Sequence, residues 1–478
     1  MKKKKFLLLS LIPLSLIMLG ACKEKNDNNE VEDITSTIEN KQDNALLVTF
    51  NDDYATIVGL PEESMDLTEI TIPSYFHFDD SDYEVTTIAP NAFKGNKKIE
   101  VVNIPTTVRY IKDEAFAGAI NLKEVNFIDE NGNKSSLIDK KSKLSEIGIR
   151  AFANTKIEKF VFSKMLEIVS AEAFYNTNLK TLTLYGKDVH RRFDNAFYNT
   201  KLESVTDESE NNRLKLENGL LTYGGSLIYA DINLEEIDIP SNVTTISYGA
   251  LSHSNLKKVK LNNVKYIYDS AFAGSKIEEI IGGEFVEYIE YNAFWDTKFT
   301  VNKEKLVLGS VLALDYINTN TYVVDDNIKS ISYVRGQAEK IIIKSNVENI
   351  GAYAFSKVSG LEKVYFQSVY GNPSIGNDNA FKDSVNLIIP YNTDRYYKEN
   401  NHFIADRFTT ENINITFYKN DEKLSTVSIP YGSFLSEYIP NGYKSVKDKD
   451  GNVYNKGNML LFIGDTNLYL YESDVTWE

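Results

Sequence analysis

Apolar and polar residues alternate along short stretches that recur through most of the chain. Residues 122–127 and 256–261 are two examples, in which leucine, valine and phenylalanine are separated by lysine, glutamate and asparagine. A period of two is typical of a β-strand with one buried face. A second kind of apolar stretch carries a proline near its start, as in residues 104–111 and 239–246. The pattern therefore predicts a repeated unit of strand, turn, second short strand and a helical turn.

An alanine–phenylalanine dipeptide marks that last turn of the unit. It occurs at Ala92-Phe93, Ala115-Phe116, Ala151-Phe152, Ala173-Phe174, Ala196-Phe197, Ala271-Phe272, Ala293-Phe294, Ala354-Phe355 and Ala380-Phe381, with the variant Ala250-Leu251. Phenylalanines of close neighbours lie 23 (93 to 116), 22 (152 to 174), 23 (174 to 197) and 22 (272 to 294) residues apart. A fixed period of this length predicts a solenoid, whose coils bury their apolar sides only against each other. We expect the alanine to fit a tight turn and the phenylalanine to fill the space between coils.

Three intervals between these dipeptides are longer than one period. Between Phe116 and Phe152 the extra residues fall at about 129–143. The intervals from Phe197 to Leu251 and from Phe294 to Phe355 each fit two units, one of which has lost its Ala-Phe. Insertions in solenoids usually emerge as loops on one face.

This repeat resembles the BspA-type leucine-rich repeat, also called the treponemal type, over roughly residues 45–408. The resemblance implies a mainly β solenoid with short helical turns. It also implies a bacterial surface protein that adheres to host or neighbouring-cell proteins or to matrix.

The N-terminus predicts secretion and lipid attachment. Lys2 to Lys5 precede an apolar run from Phe6 to Met18, and Leu19-Gly20-Ala21-Cys22 follows. A cationic start, an apolar core and small residues form a secretory signal. The last four residues resemble a bacterial lipobox, which implies that Cys22, the only cysteine, becomes the lipid-bearing first mature residue. An uncleaved anchor with a coincidental cysteine is the alternative. Residues 1–22 are then the signal peptide, and the polar, apolar-poor residues 23–44 form a disordered tether.

The C-terminal residues 409–478 carry no Ala-Phe dipeptide. Alternating stretches there are interrupted by Asn441-Gly442 and Asp450-Gly451, which favour hairpins. The series of strand, Tyr431-Gly432, Gly442-Tyr443 and a terminal Leu-Tyr strand resembles the internalin B-repeat, a small β-grasp module of bacterial surface proteins. That family usually has a tryptophan soon after the Gly-Tyr, and none occurs here. The resemblance implies a small β-grasp-like α+β module after the 45–408 solenoid.

Charge and motif content restrict the chemistry. The formal charge is −16, and loss of the four lysines in residues 1–22 makes it about −20, which argues against nucleic acid. The four histidines are far apart, and no metalloprotease, serine-hydrolase or phosphate-loop motif is present. Residues 129–133 and 448–452 resemble calcium loops, but neither has the full ligand spacing, so polar turns are the better interpretation. We predict no cofactor, no metal site and no enzyme, with a cryptic acid-pair hydrolase as a remote alternative.

Outward-facing side chains of the strands should form rows, one residue per coil. One row is expected to contain Val102, Asn126, Val161, Thr183, Asp238, Lys260, Ile281, Ile342 and Tyr365. Its neighbour is expected to contain Glu100, Glu124, Lys159, Thr181, Glu236, Lys258, Glu279, Lys340 and Lys363. Mixed charge with exposed aliphatic and aromatic residues is typical of a protein-binding face, although the same residues also suit an exposed sheet without a ligand. The candidate face runs from Val161 to Tyr365, with Ile342 and Tyr365 expected to be exposed contacts.

The sequence thus predicts a lipid-anchored protein on the outer face of a bacterial membrane, which binds an extracellular protein or matrix ligand. A structural or carbohydrate-binding envelope component is the alternative. The thirty tyrosines are compatible with strand formation, protein contact or sugar stacking.

Overall fold

The computed structural model describes residues 46–470 except 52, 79, 187–191, 194, 210 and 370–372. The signal peptide, Cys22, the tether at 23–44 and His190 lie outside the described residues. The described chain forms two compact units. The first extends to Glu235 and includes Thr245–Leu256, and the second comprises Glu236–Thr244 and the chain from Lys257 onward. No described helix is long and apolar enough to cross a bilayer.

Most strands are short, and their bounds follow in chain order. They are β1 Leu47–Phe50, β2 Tyr54–Gly59, β3 Glu69–Thr71, β4 Tyr75–Phe78, β5 Ser81–Ile88, β6 Val101–Pro105, β7 Tyr110–Ile111, β8 Glu124–Ile128, β9 Glu146–Ile147, β10 Lys159–Phe162, β11 Ile168–Val169, β12 Thr181–Gly186, β13 Arg192–Phe193, β14 Ser204–Ser209, β15 Leu214–Glu217, β16 Leu220–Tyr223 and β17 Ser226–Ala230. The series continues with β18 Glu236–Asp238, β19 Thr245–Ile246, β20 Lys258–Lys260, β21 Tyr266–Ile267, β22 Glu279–Ile281, β23 Tyr288–Ile289, β24 Leu306–Leu308, β25 Val311–Asn318, β26 Thr321–Val323, β27 Ser330–Ile331, β28 Val334–Gln337, β29 Lys340–Ile343, β30 Asn349–Ile350, β31 Lys357–Ser359, β32 Lys363–Phe366, β33 Ser374–Ile375, β34 Asn386–Ile388 and β35 Phe408–Thr409. The last five are β36 Asn412–Lys419, β37 Glu422–Pro430, β38 Ser445–Lys447, β39 Val453–Asn455 and β40 Thr466–Leu470.

Helices are few and short. They are α1 Ser136–Asp139, α2 Lys298–Val301 and α3 Asp394–Asn400, with 3-10 turns at Glu62–Ser64, Asp378–Ala380, His402–Arg407 and Leu435–Glu437. Helix α1 lies within the insertion predicted at 129–143. The predicted mainly β solenoid with short helical turns is confirmed.

Each coil of the solenoid contributes one strand to each of two parallel sheets. In the first unit the longer strands form the sheets β3–β6–β8 and β10–β12–β14, and the two-residue strands β7, β9, β11 and β13 continue from β5. The β6–β7 coil shows the predicted order of strand, proline turn, short strand and Ala-Phe turn. The apolar side chains of both sheets face the interior, where they form a continuous core.

The Ala-Phe turns stack on each other from coil to coil. The rings of Phe93, Phe116, Phe152, Phe174 and Phe197 lie parallel, with successive centroids 5.0, 5.2, 5.4 and 5.9 Å apart. Backbone hydrogen bonds join the same turns. The N–H of Phe93 donates to the carbonyl of Ala115 at 2.7 Å, and that of Phe116 to Ala151 at 2.7 Å. The alanines and phenylalanines therefore have the core positions that the sequence predicts.

Most Ala-Phe turns contain two residues with left-handed backbone geometry. One precedes the alanine, as at Asn91, Glu114, Arg150, Glu172, Asn195, Gly249 and Ser270, all with φ between 51° and 61°. The other follows the phenylalanine by two residues, as at Gly95, Gly118, Asn154, Asn176, Asn199, His253, Gly274 and Asp296. Glycine and asparagine tolerate this geometry best, which explains why they are so frequent at these positions.

The intervals from Phe197 to Leu251 and from Phe294 to Phe355 each contain a coil without an Ala-Phe turn, as predicted. In the first unit, β15, β16 and β17 form an antiparallel series, and β17 pairs in parallel with β19. In the second unit the extended strand β28 takes the place of the turn. There the N–H of Val334 donates to the carbonyl of Ala354 at 2.7 Å, so the extended segment still joins the next turn.

The second unit contains two separate sheets of longer strands, β18–β20–β22 and β26–β29–β32–β34–β35. The C-terminal strands form another sheet in the order β37–β36–β40–β38–β39. Strand β36 pairs antiparallel with β37 and parallel with β40. Its kinship with the internalin B-repeat remains a prediction.

The C-terminal module packs against the last solenoid coils of the same unit. Tyr431 is fully buried, its ring lies 5.4 Å from that of Tyr365, and its hydroxyl donates to the carbonyl of Phe366 at 3.2 Å. Glu411 accepts a hydrogen bond from the Tyr365 hydroxyl and pairs with Lys363 at 2.6 Å. The module is therefore held to the solenoid by an apolar contact with a charged and hydrogen-bonded rim.

Candidate functional site

The predicted outward row is in register within each parallel sheet. Val161 lies opposite Thr183, Asp238 opposite Lys260, Lys260 opposite Ile281, and Ile342 opposite Tyr365. The neighbouring row is also in register from Lys159 to Thr181, from Glu236 through Lys258 to Glu279, and from Lys340 to Lys363. Asp238, Lys260 and Ile281 are exposed, whereas Val161, Thr183 and Ile342 are half-buried.

The prediction is wrong by one residue at the first coil. Asn103, not Val102, lies opposite Asn126, and Val101, not Glu100, lies opposite Glu124. Val102 is buried in the core. Because side chains alternate between the two faces of a strand, a shift of one residue exchanges the inner and outer sets. The Asn103 amide instead donates to Glu69 at 2.7 Å and accepts from Asn126 at 3.0 Å.

The prediction that Tyr365 is exposed is also wrong. Its position on the strand points away from the solenoid core, but the C-terminal module covers it and leaves only 1% of its surface accessible. Burial, followed by the hydrogen bond to Glu411, raises the pKa of the Tyr365 hydroxyl. Tyr365 therefore belongs to the contact between the module and the solenoid, and an Ile342→Ser, Tyr365→Ser double variant would disturb the fold.

Charges on the exposed part of the row are paired between coils. The Lys260 ammonium lies 3.2 Å from the Asp238 carboxylate, and Lys258 lies 3.2 Å from Glu279. The hydrogen bond from Asn262, followed by that from Lys260, lowers the pKa of Asp238. Such exposed pairs contribute little to stability, so the row presents a neutralised surface with Ile281 at its end.

Three tyrosines missed by the row prediction lie on or directly after the short strands β21 and β23 of the second unit. Tyr266, Tyr268 and Tyr288 are 37%, 40% and 38% exposed, and we call them the tyrosine patch. Tyr266 and Tyr288 lie opposite each other on β21 and β23. The Tyr266 hydroxyl donates to Glu287 at 3.2 Å, and Lys265 pairs with Glu287 at 2.8 Å. The repeated Tyr-Ile pair at 266–267 and 288–289 was the available sequence signal.

A small cavity opens in the same unit where the repeat is interrupted. We call it the aromatic pocket, and its walls include Glu290, Tyr291, Phe294, Trp295, Thr300 and Tyr333. The Tyr291 ring lies edge-on to Tyr333 at 4.7 Å and 5.0 Å from Tyr353. Trp295 is half exposed, at 50%. Partial burial raises the pKa of the Glu290 carboxyl above its usual value.

The repeat matches a known family model. The description of that model is BspA-type leucine-rich repeat region, and it matches residues 62–140, 86–215, 207–300 and 326–431, well over half of the chain. The chain belongs to the BspA-type leucine-rich-repeat family. No curated protein matches it.

Solved leucine-rich-repeat proteins are similar to this BspA-type chain at low identity. The pneumococcal vaccine antigen PcpA is 18% identical, with 77% of this chain and 96% of that chain covered and a TM-score of 0.37. A leucine-rich-repeat protein from Eubacterium ventriosum is 18% identical, covering 73% and 92%, with a TM-score of 0.35. One from Bacteroides ovatus is 19% identical, covering 72% and 77%, with a TM-score of 0.30.

The two loops of the BspA-type chain that resemble calcium sites are closed by their own hydrogen bonds. Asp448 accepts from the backbone N–H groups of Asp450 and Asn452, both at 2.9 Å, and from the Tyr454 hydroxyl at 3.1 Å. Asp129 accepts in the same way from Asn131 and Asn133. Among the described residues, no three histidine, cysteine or acidic side chains are grouped as a metal site would require. Both loops therefore have the geometry of polar turns.

Proposed function

We propose that this protein is a lipid-anchored bacterial surface protein that binds an extracellular protein through its solenoid. The observation that carries the proposal is the tyrosine patch. Tyr266, Tyr268 and Tyr288 expose large rings on neighbouring coils, and none of them is needed to fill the core. Tyrosine is enriched at protein interfaces because it combines apolar area with a hydrogen-bonding group.

The patch is suited to a contact that is both apolar and polar. Lys265 and Glu287 directly precede Tyr266 and Tyr288 and bring both charge signs to the patch. A protein surface offers apolar side chains and both charges at once, and binding energy at such interfaces is concentrated in a few aromatic residues. Membership of the BspA-type family agrees with a protein that binds a ligand rather than one that catalyses a reaction.

A capture experiment tests this function. The protein is immobilised and exposed to extracellular proteins of host or co-resident cells, and to a glycan array. The Tyr266→Ser, Tyr288→Ser double variant should lose about tenfold or more in affinity for the captured protein, since hot-spot residues contribute roughly 2 kcal/mol or more.

Tyr54→Ser with Tyr75→Ser is the matched control, because these two tyrosines are also exposed but lie in the first unit. Equal loss in both double variants would show that the patch is not the binding site. Capture of glycans without any protein would favour a carbohydrate-binding envelope component.

The membrane anchor is tested separately at Cys22. Cys22→Ser should release the protein from membranes or block its processing, because the chain has no other cysteine to carry the lipid. Detergent-phase partitioning followed by immunoblotting measures this. A Cys22→Ser protein that still partitions fully into the detergent phase would show that the lipobox interpretation is wrong.

A further inference from the structure

The chain contains three Asn-Gly dipeptides, the pair in which an asparagine side chain most readily cyclises onto its own backbone. They are Asn131-Gly132, Asn218-Gly219 and Asn441-Gly442. A glycine leaves its backbone nitrogen unshielded because it has no Cβ. All three asparagines are exposed to solvent. Access of water therefore does not distinguish the three sites, and their backbone hydrogen bonds and packing do.

The cyclisation uses only the chain and water. The glycine N–H loses its proton to hydroxide, and the nitrogen attacks the asparagine Cγ, so that an N–Cγ bond forms. The Cγ–Nδ2 bond then breaks, and ammonia leaves after taking a proton from water, which regenerates the hydroxide. One water opens the resulting succinimide at either carbonyl and gives aspartate or isoaspartate. A hydrogen bond from the glycine N–H opposes the first step, because that N–H must be released before it can lose its proton.

The turn at Asn131 holds the attacking nitrogen in place. The Gly132 N–H donates to the carbonyl of Asp129 at 3.0 Å. The Asp129 carboxylate accepts the N–H of Asn131 and the N–H of Asn133, both at 2.9 Å. This turn has to open before Asn131 can react.

The turn at Asn218 is fixed by its hairpin. Asn218 and Gly219 have φ of 52° and 77°, the pair of left-handed residues that is typical of a type I′ turn. The turn joins β15 to β16, which pair along four residues. A Cβ placed on Gly219 would lie 3.1 Å from the Leu234 side chain, so this glycine is packed. Ring closure at Asn218 therefore requires the hairpin to open.

The turn at Asn441 has neither restraint. Tyr443 donates its N–H to the carbonyl of Pro440 at 3.3 Å, and Gly442 has φ of 91°, as in a type II turn. Among the described residues, no atom comes within 4 Å of a Cβ placed on Gly442. Within the same part of the chain the Gly442 N–H donates no hydrogen bond. The attacking nitrogen at this site is therefore free.

We propose that Asn441 deamidates spontaneously in the folded protein, while Asn131 and Asn218 are protected by their turns. The site lies in the C-terminal module, and the modification is independent of the tyrosine patch. Isoaspartate adds one carbon to the backbone between Ile439, which is buried, and Tyr443, which packs on the module core. The modified turn no longer matches the distance between these two residues, so the module becomes less stable.

Peptide mapping by mass spectrometry tests the order of reactivity. The full chain is incubated at mildly alkaline pH in water labelled with heavy oxygen, which marks each newly formed carboxylate. We expect Asn441 to convert roughly two- to tenfold faster than Asn131, the weight of one hydrogen bond. It should convert more than roughly tenfold faster than Asn218, since a paired hairpin opens rarely. In denaturant the three rates should agree within about twofold, because only the local sequence remains.

Two variants separate the turn geometry from the sequence. Asp129→Ala removes the carboxylate that holds the loop at Asn131, and should raise the rate at Asn131 towards that of Asn441 without changing the other two. Asn441→Gln should abolish conversion at position 441, because glutamine must close a larger ring, and should leave Asn131 and Asn218 unchanged. Equal rates in the folded protein, a faster reaction at Asn131 or Asn218, or no conversion of Asn441 while the denatured chain reacts would each overturn the proposal.

The effect on the module is measured on aged protein. After the same incubation, the unmodified chain should unfold at lower denaturant concentration than Asn441→Gln, whereas the two should agree before incubation. Equal midpoints after conversion of Asn441 would show that the turn tolerates isoaspartate and would overturn this part of the proposal.

Discussion

At the scale of single residues, the left-handed positions around most Ala-Phe dipeptides constrain the backbone most. A glycine or asparagine there costs little, but Glu114, Arg150, Glu172 and Ser270 adopt the same geometry with a full side chain. Left-handed geometry costs an ordinary L-residue roughly 1–2 kcal/mol. The solenoid therefore stores local strain at several coils, which the surrounding turn-to-turn hydrogen bonds maintain.

Replacing Glu114 by Asn should relieve part of that strain. Glu114 has φ of 56° and pairs with Lys94 at the surface. The surface ion pair with Lys94, which this substitution removes, contributes little to stability. We therefore expect Glu114→Asn to raise the free energy of unfolding by about 0.5–1 kcal/mol. Denaturant titration measures the change. Glu124→Asn, on the extended strand β8, is the control and should bring no gain; a gain of the same size there would contradict the explanation.

At the scale of elements, the phenylalanine column joins one coil to the next. Phe174 is fully buried and stacks between Phe152 and Phe197 at 5.4 and 5.9 Å. Phe174→Ala leaves a cavity shared by neighbouring coils and should cost roughly 3–5 kcal/mol of unfolding free energy. Thr183→Ala, on the outer side of β12, should cost less than about 0.5 kcal/mol. Equal losses in denaturant titration would mean that the column does not support the fold.

The contact between module and solenoid depends on Tyr431. Tyr431→Phe keeps the ring and removes only the hydrogen bond to Phe366, so the unfolding free energy should fall by about 1 kcal/mol. Tyr431→Ala should cost roughly 3–5 kcal/mol and expose Tyr365. Denaturant titration gives both values. Tyr418→Phe, a half-buried tyrosine elsewhere in the module, serves as control; a loss there equal to that of Tyr431→Phe would argue against a specific contact.

The local pattern of apolar and polar residues predicted the strands and turns, but not the contacts between residues far apart in the sequence. The order of strands and the Ala-Phe turns follow from a period of about 22 residues, and the register of Asp238, Lys260 and Ile281 follows from it too. At β6, Val101 and Val102 are adjacent valines, so alternation alone leaves the register open by one residue. Tyr365 is covered by Tyr431, 66 positions later (365 to 431), a contact that no pattern within the repeat records.

The aromatic pocket could not be predicted for a related reason. Its walls come from an interruption of the repeat, and periodicity describes only where the repeat continues. Trp295 stands at a turn position where other coils have lysine, alanine, tyrosine or serine. The position of that tryptophan was a sequence signal, but nothing local indicated that Tyr333 would face it.

At the scale of the whole molecule, buried tyrosines make stability sensitive to alkaline pH. Burial raises the pKa of Tyr229 from 10.0 to about 12. The Tyr229 hydroxyl donates a hydrogen bond to the carbonyl of Thr200 at 3.1 Å. A folded pKa above the unfolded value means that the stabilisation is complete below pH 10 and is lost as the pH rises through about 12. Tyr365, Tyr397 and Tyr431 are shifted in the same direction.

The free energy of unfolding should therefore be nearly independent of pH at about 8–9.5 and fall steeply above pH 10. Denaturant titrations at a series of pH values measure this. Tyr229→Phe should show a smaller decline above pH 10 than the unmodified protein, whereas Tyr266→Phe, at an exposed tyrosine, should leave the decline unchanged. A decline that does not change in Tyr229→Phe would show that this hydroxyl does not titrate with unfolding.

The interruption after the coil that ends at Phe294 also matters when the molecule is under mechanical load. Coils arranged in series transmit tension one after another, and the junction with the fewest bonds yields first. Elsewhere in the second unit, sheet pairing and turn-to-turn bonds cross together from coil to coil, as from β29 to β32 and from Phe355 to Ala380. Between β22 and β26 neither kind of bond is present among the described residues. Within the second unit, a pull along the chain should therefore separate the coils at this junction before it unfolds the coils on either side.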